Sequence, residues 1–430
     1  MNIVRFVSSA RFASLAMLGV TIVTQVLQIP IVLLSVGTHY LGIFAIAGAV
    51  PALLATADFG LFGVSSTRLL LLTGESSRQR ATGILSTMIS LYFWLVLAAL
   101  LVVCSILFYF RDGGGLSPSD ASLFLQLTLI LSIFSLLLLF SSLWECYSRG
   151  VGRHIVTWRY IALFRFLDFW ALSTILLLTH SLVLGSMAML GSRLFSTVFI
   201  TSNLIKSLNG TKFRMTFSPL PIFKGQLNSN FGSFFQVSGY WMSTQGMTLA
   251  IGLSFGTSGA ALYSSMKTFL GGIRQFSQAI LNSEMPIVTR GHVALNQNAN
   301  RMLFRKTQFQ VISISLSAAA LFAFCGPFAY SYWTGDKISI TSAMIPLFSL
   351  ASFLEVCFLT ISLWTVTQNK HLKIMSYYFV YLLVGITLTV LFRLEVELVA
   401  VLLSVIYLAL TVQGEINFRK GKSGSGKSQV

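Results

Sequence analysis

Charge is scarce in this chain. Of 430 residues, 12 are acidic and 29 basic, and charged residues together make up 10% of the sequence. Soluble domains carry about 25%, so an ordinary water-facing surface is excluded. Cysteine is scarce too. Cys104, Cys146, Cys325 and Cys357 lie in or beside different apolar stretches. They lack the paired spacing of a zinc site or a disulfide framework and read as small apolar packing residues. The five histidines, His39, His154, His180, His292 and His371, fall at or near the ends of apolar runs, where solvated side chains are the default. There is no nucleophile–base constellation, no metal-ligand cluster and no strand-like alternation. Enzymatic chemistry and a resident metal or cofactor are therefore not expected.

What is present is apolar sequence in long runs. Hydrophobic residues make up 55% and the mean hydropathy is +0.80, far more apolar surface than a soluble core could bury. Runs of about 20 residues place spans near 13–36, 40–66, 84–109, 123–144, 160–180, 182–205, 234–254, 259–282, 309–333, 341–365, 373–392 and 396–416. The predicted fold is an all-α polytopic membrane protein with twelve transmembrane helices. The break at Thr179 to Leu182 is the shortest between any two spans. The first run is longer than a signal peptide and lacks an A-x-A-like site, so the first helix is expected to be retained. Trp144, Trp158, Tyr160, Tyr332, Trp333 and Trp364 fit an interfacial aromatic belt.

The cations set an orientation. Arg111, Lys337 and Arg393 fall on odd-numbered turns, and Arg68, Arg165, Arg193, Lys267 and Arg274 lie inside or at the edge of spans. All other basic residues sit on the termini or on even-numbered turns, which predicts both termini on the cytoplasmic side. The formal charge of +17 is then a topology signal. No soluble basic domain exists to carry a nucleic-acid surface. Gly421 to Ser428 satisfies the G-x-x-x-x-G-K-[ST] pattern, but only Gln429 and Val430 follow it. A phosphate-binding loop needs a strand before and a helix after, so nucleotide binding is not expected there. Asp58-Phe59-Gly60 lies in a membrane helix without the other kinase elements.

An internal repeat is visible. At an offset of 219, Arg11 to Thr38 falls on Asn230 to Thr257, with Phe12/Phe231, Ser14/Ser233, Ser35/Ser254, Gly37/Gly256 and Thr38/Thr257 identical. The offset is about half the chain and equates the first span with the seventh and the second with the eighth. Two six-helix lobes related by a pseudo-two-fold axis along the membrane normal are the implied plan. The expected divisions are an N-lobe at 1–206, a linker at 207–233, a C-lobe at 234–417 and a flexible basic tail at 418–430.

The segment Val36-Gly37-Thr38-His39-Tyr40-Leu41-Gly42-Ile43-Phe44, followed by Ala57-Asp58-Phe59-Gly60-Leu61 and Arg68, resembles the first two spans of Wzx-type polysaccharide flippases. So does Tyr147-Ser148-Arg149-Gly150-Val151-Gly152-Arg153. Those proteins belong to the multidrug/oligosaccharidyl-lipid/polysaccharide (MOP) exporter superfamily. The resemblance implies a V-shaped pair of lobes in the bacterial inner membrane. It also implies a flippase that moves an undecaprenyl-pyrophosphate-linked oligosaccharide to the periplasmic leaflet, together with other polysaccharide-assembly proteins.

The charges inside the spans carry the site expectation. A cation at the bilayer centre costs about 2.5–3.5 kcal/mol on insertion scales, so it usually faces a wet cavity or a partner. Arg193, Lys267 and Arg274 have no acid within a helical turn in sequence, which points to substrate. Lys267 and Arg274, seven residues apart, share a helix face, and a pyrophosphate suits both side chains. Together the three predict a phosphate site shared between lobes. Arg165 either pairs with Asp168 three residues on or serves substrate. Arg68 reads first as a snorkelling interfacial residue. Among the acids, Glu355 is either a proton- or ion-coupling group or half of a structural interlobe pair, and Asp168 is a further coupling candidate. Asp58 reads mainly as structural, in a helix that Pro51 and two glycines would bend. Gln25, Gln28, Gln245 and Gln275 suit either sugar hydroxyls or interhelical hydrogen bonds. The runner-up functions are a drug or cation exporter of the same superfamily and a polysaccharide polymerase or ligase. The first wants a net acidic cavity and the second a large outer loop.

Overall fold

The computed structural model describes residues 10–54, scattered residues between 85 and 105, and residues 118–150, 154–208, 227–294, 297–368 and 371–423. Asp58 and Arg68 lie outside the described residues. The elements are α1 (Ala10–Ser35), α2 (Thr38–Leu54), α3 (Pro118–Gly150), α4 (His154–Thr179), α5 (Leu182–Leu208), α6 (Leu227–Trp241), a π-helical turn (Met242–Gly246), α7 (Met247–Ala294), α8 (Gln297–Thr334), α9 (Met344–Thr367), α10 (Leu372–Phe392) and α11 (Val396–Ser423). The described residues between 85 and 105 are helical as well.

The protein is an all-α polytopic membrane protein. Among the described residues, eight helices are long and apolar enough to cross a membrane: α1, α3, α4, α5, α8, α9, α10 and α11. Their outer faces carry large apolar side chains in the open. On α8, Phe324, Phe328 and Tyr332 recur every fourth residue and are each more than 80% exposed. Such a stripe suits acyl chains, where no apolar area needs hiding from water. α9 is the opposite case, buried on most sides between α7, α8 and α11.

Backbone turns on one end of the bundle depend on residues that accept positive φ. Gly37 (φ 89°) separates α1 from α2, and Gly256 (φ 73°) interrupts α7. Ala260 comes back against Gly252, and the Tyr263 hydroxyl donates to the Ser243 carbonyl. The chain therefore reverses at Gly256, and α7 contains the end of the seventh span and the whole of the eighth. The repeat mates Gly37 and Gly256 thus both take positive φ at equivalent places in the two halves. His180, Gly335 and Arg393 also take positive φ at the α4–α5, α8–α9 and α10–α11 turns. This end is called the turn face below.

The N-lobe contains α1 to α5, and the C-lobe contains α6 to α11. They meet where α1 and α2 pack on α6, α7 and α8. They approach closely at Gly42, where a Cβ would overlap the Thr257 carbonyl oxygen. Around it, Lys337 Nζ donates to the Leu33 carbonyl at 2.8 Å and Thr38 Oγ1 donates to the Lys337 carbonyl at 3.2 Å. Trp333 Nε1 donates to the Val26 carbonyl, and His39 contacts both Asp120 of the N-lobe and Thr257 of the C-lobe. The lobes interlock at the turn face.

Several expectations differ from this structure. Helix α6 begins at Leu227, inside the stretch expected to be linker, and α11 runs to Ser423, inside the expected flexible tail. Phe418 explains the second difference, since it is buried against Phe304 and Trp364. Trp144 and Trp364 pack inside the protein and do not face an interface. His371 is 1% exposed, not solvated. Cys357 is buried as expected, whereas Cys325 is exposed on the outer surface.

Candidate functional site

Between the lobes lies a cavity of about 770 Å³. The N-lobe contributes Gln25, Gln28, Ile29 and Val32 from α1 and Leu41, Phe44, Ala45 and Gly48 from α2. The C-lobe contributes residues of α6, the π turn, α7 and α9. α6 and α7, the C-lobe helices outside the eight apolar spans, are the ones that supply most of its polar lining.

The cavity's charge centre is a cluster of three residues on two helices. Seven residues apart on α7, Lys267 and Arg274 project from one face about 10 Å apart along the axis, and both lean toward Glu355 on α9. Lys267 Nζ lies 3.5 Å from Glu355 Oε2, and Arg274 Nη1 lies 2.9 Å from Oε1. The two cations retain exposure to the cavity, at 13% and 16% of their side chains, while the carboxylate behind them is 2% exposed. Two cations and one acid leave the described lining with net positive charge. The Tyr240 ring lies 3.5 Å beneath the Arg274 guanidinium, a cation–π contact worth about 0.5–2 kcal/mol. Tyr240 owes its placement to the π turn that follows it. Such a turn disrupts the i→i−4 ladder, and the buried Tyr263 hydroxyl occupies the Ser243 carbonyl at 2.8 Å.

Arg193 is elsewhere. It is 2% exposed, its guanidinium bonds directly to the Asp168 carboxylate, and its Cζ lies 5.0 Å from the centre of the Phe134 ring. Ser192 Oγ donates to the other oxygen of Asp168 at 2.9 Å. Arg165, three residues before Asp168, instead donates from Nη1 to Thr21 Oγ1 at 2.7 Å. None of Arg165, Asp168 and Arg193 is among the cavity's lining residues. The three cations expected to share one site are therefore not brought together: Lys267 and Arg274 line the cavity from the C-lobe, and Arg193 sits with Asp168 away from it. Glu355, the possible interlobe partner, pairs within its own lobe. Sequence distance misled here: each cation's partner sits on another helix, 25 residues away for Arg193 and more than 80 for Lys267 and Arg274. Gln236 and Gln278 also line the cavity and were not singled out. Gln278 was findable, lying one turn beyond Gln275 on the same face.

The chain matches no family model and no curated protein sequence. Its fold matches solved structures over nearly the whole chain. An inward-facing conformation of a multidrug resistance MATE family transporter of the MOP superfamily aligns with a TM-score of 0.66 at 16% identity, covering 97% of each chain. An outward-facing conformation of such a transporter gives 0.63 at 15% identity, covering 97% of this chain and 96% of that one. A MOP superfamily transporter from Pyrococcus furiosus, described as having a binding pocket of reverse polarity, gives 0.61 at 15% identity over 95% of each. The chain has the two-lobe fold of the MOP superfamily transporters.

Proposed function

We propose that the protein is a non-enzymatic flippase for a polyanionic, glycan-bearing lipid, with an undecaprenyl-pyrophosphate-linked oligosaccharide as substrate. The observation that carries this reading is the charge and chemistry of the interlobe cavity. Lys267 and Arg274 outnumber Glu355, and six glutamines line the same space. A pyrophosphate offers oxygens that Arg can grip in a fork and Lys can hold as a point charge. The glycan fills a polar cavity, while the prenyl tail stays among the exposed apolar faces outside. Given the charge bias that puts the termini in the cytoplasm, the interlocked turn face is periplasmic, and the structure corresponds to an inward-facing state. Rocking of the lobes then exposes the site to the other side. An exporter of cationic drugs is disfavoured, because the cavity's carboxylate is already shared by two cations.

The test is replacement of Lys267 and Arg274 by alanine, singly and together, in cells that need the protein for surface polysaccharide. Each single variant is expected to insert normally and to cut surface polysaccharide at least about tenfold, the consequence of losing one charged hydrogen bond. Unflipped lipid-linked units should accumulate on the cytoplasmic leaflet. Normal polysaccharide in the double variant would refute the reading. Accumulation of translocated but unpolymerised units would point to a polymerase.

A further inference from the structure

The cavity holds more amides than its packing uses. Gln25 and Gln28 lie three residues apart on α1, and Gln275 and Gln278 three apart on α7, so each pair occupies one helix face. The two faces belong to different lobes and look onto the same space. Gln275 Nε2 donates to Gln25 Oε1 across the lobe boundary, while Gln275 Oε1 is buried without a hydrogen-bond partner. Gln28 and Gln278 make no hydrogen bond to any described residue and face the cavity. An interhelical amide bond is common glue in membranes, and Gln25 with Gln275 alone would satisfy that role. It does not account for the unused pair one turn away.

We propose that Gln25, Gln28, Gln275 and Gln278 form a glycan subsite beside the cation pair, and that the bond between Gln25 and Gln275 is a clasp which the first sugar opens. The inference rests on the flippase reading and says which residues hold the sugar. Its position follows from the chain. Arg274, Gln275 and Gln278 all line the same cavity, so an anion on Arg274 brings the sugar attached to it within reach of the amides. The chemistry also matches. A carboxamide has two donors and an acceptor oxygen, and a sugar hydroxyl both donates and accepts, so amides facing each other can bind neighbouring hydroxyls. Trp241 and Tyr240, on the same cavity wall, give a sugar ring an apolar face to lie against. Because the clasp spans the two lobes, replacing it with bonds to a sugar ties recognition of the glycan to the freedom of the lobes to part.

The experiment compares two probes on the purified full-length protein: a prenyl pyrophosphate, and the same prenyl pyrophosphate carrying one N-acetylglucosamine. The variants are Gln25→Leu, Gln275→Leu and the double variant Gln28→Ala with Gln278→Ala, each checked for a monodisperse folded state. The expected result is a loss of affinity for the glycosylated probe of about tenfold, the equivalent of one or two hydrogen bonds, with the sugar-free probe unchanged. Equal losses for both probes, or no loss for either, overturn the subsite. Should the leucine variants fail to fold, the alanine pair carries the test, since it breaks no bond within the protein. If the unmodified protein binds neither probe, the phosphate reading fails and the subsite falls with it. If it binds both, and Lys267→Ala with Arg274→Ala abolishes this, the phosphate reading stands whatever the glutamine variants do.

Discussion

A guanidinium deep in a membrane protein needs a partner, and the chain supplies one acid to each of two cation groups. Asp168 holds Arg193 in the N-lobe, while Glu355 serves both Lys267 and Arg274. The two acids have different uses. The first pair is enclosed and away from the cavity, so its role is to make buried charge tolerable. Asp168→Asn leaves Arg193 buried and uncompensated, and removing one member of a buried ion pair typically costs about 3–5 kcal/mol. The double variant Asp168→Asn with Arg193→Met should recover most of that loss in a thermal melt and should still transport. A properly folded double variant without transport would show that the pair belongs to the transport machinery. Glu355→Gln is expected to behave differently. It should lower stability and also alter affinity for an anionic lipid probe, because both of its partners face the cavity.

At the scale of elements, three glycines of the turn face separate strain from contact. Gly37 and Gly256 have positive φ but open space around the missing Cβ, whereas Gly42 is helical and a Cβ there would overlap the Thr257 carbonyl oxygen. Alanine at 37 should therefore cost only the positive-φ penalty, about 1–2 kcal/mol, and alanine at 256, where ψ is −165°, up to about 3 kcal/mol, since that region admits essentially only glycine. Alanine at 42 should drive the lobes apart at that end and raise hydrogen exchange of the surrounding amides. At the opposite end, His371 starts α10 with Nε2 3.3 Å from Ser233 Oγ on α6, and its Nδ1 has no hydrogen-bond partner. Burial pushes its pKa down from 6.5 to about 4. The unfolded chain thus takes up the proton first, so stability is full above about pH 6.5, declines as pH falls, and levels off below about 4. The total is on the order of 3 kcal/mol, and a His371→Gln variant should lack this pH dependence of the melting midpoint. No local pattern hints at this joint, because an isolated histidine at a span end reads as solvated until α6 is seen to cover it.

For the whole molecule, the architecture was legible because membrane helices announce themselves by length and hydropathy, and because Gly37 and Gly256, both with positive φ, mark equivalent turns of the repeat. The site was legible only in part. Lys267 and Arg274 declared themselves by a seven-residue spacing that depends on one helix alone, while the partners of Arg193 and Arg274 depend on which helices pack together, and no local pattern encodes that. The same limit hid the interlock at the turn face, where Val26, Leu33, Thr38, His39 and Gly42 of one lobe meet Thr257, Trp333 and Lys337 of the other. If alternating access requires this contact to open, covalent closure must stop transport without harming the fold. His39 and Thr257 are suited to the test, their side chains being in contact at 3.0 Å. In a background lacking the four native cysteines, His39→Cys with Thr257→Cys joined by a short thiol-reactive linker should bind the anionic probe yet fail to move it across the membrane, and cleaving the linker should restore movement. Undiminished transport in the cross-linked protein would mean that the lobes do not part at the turn face. The single-cysteine variants given the same reagent should transport normally, which ties the arrest to the bridge itself.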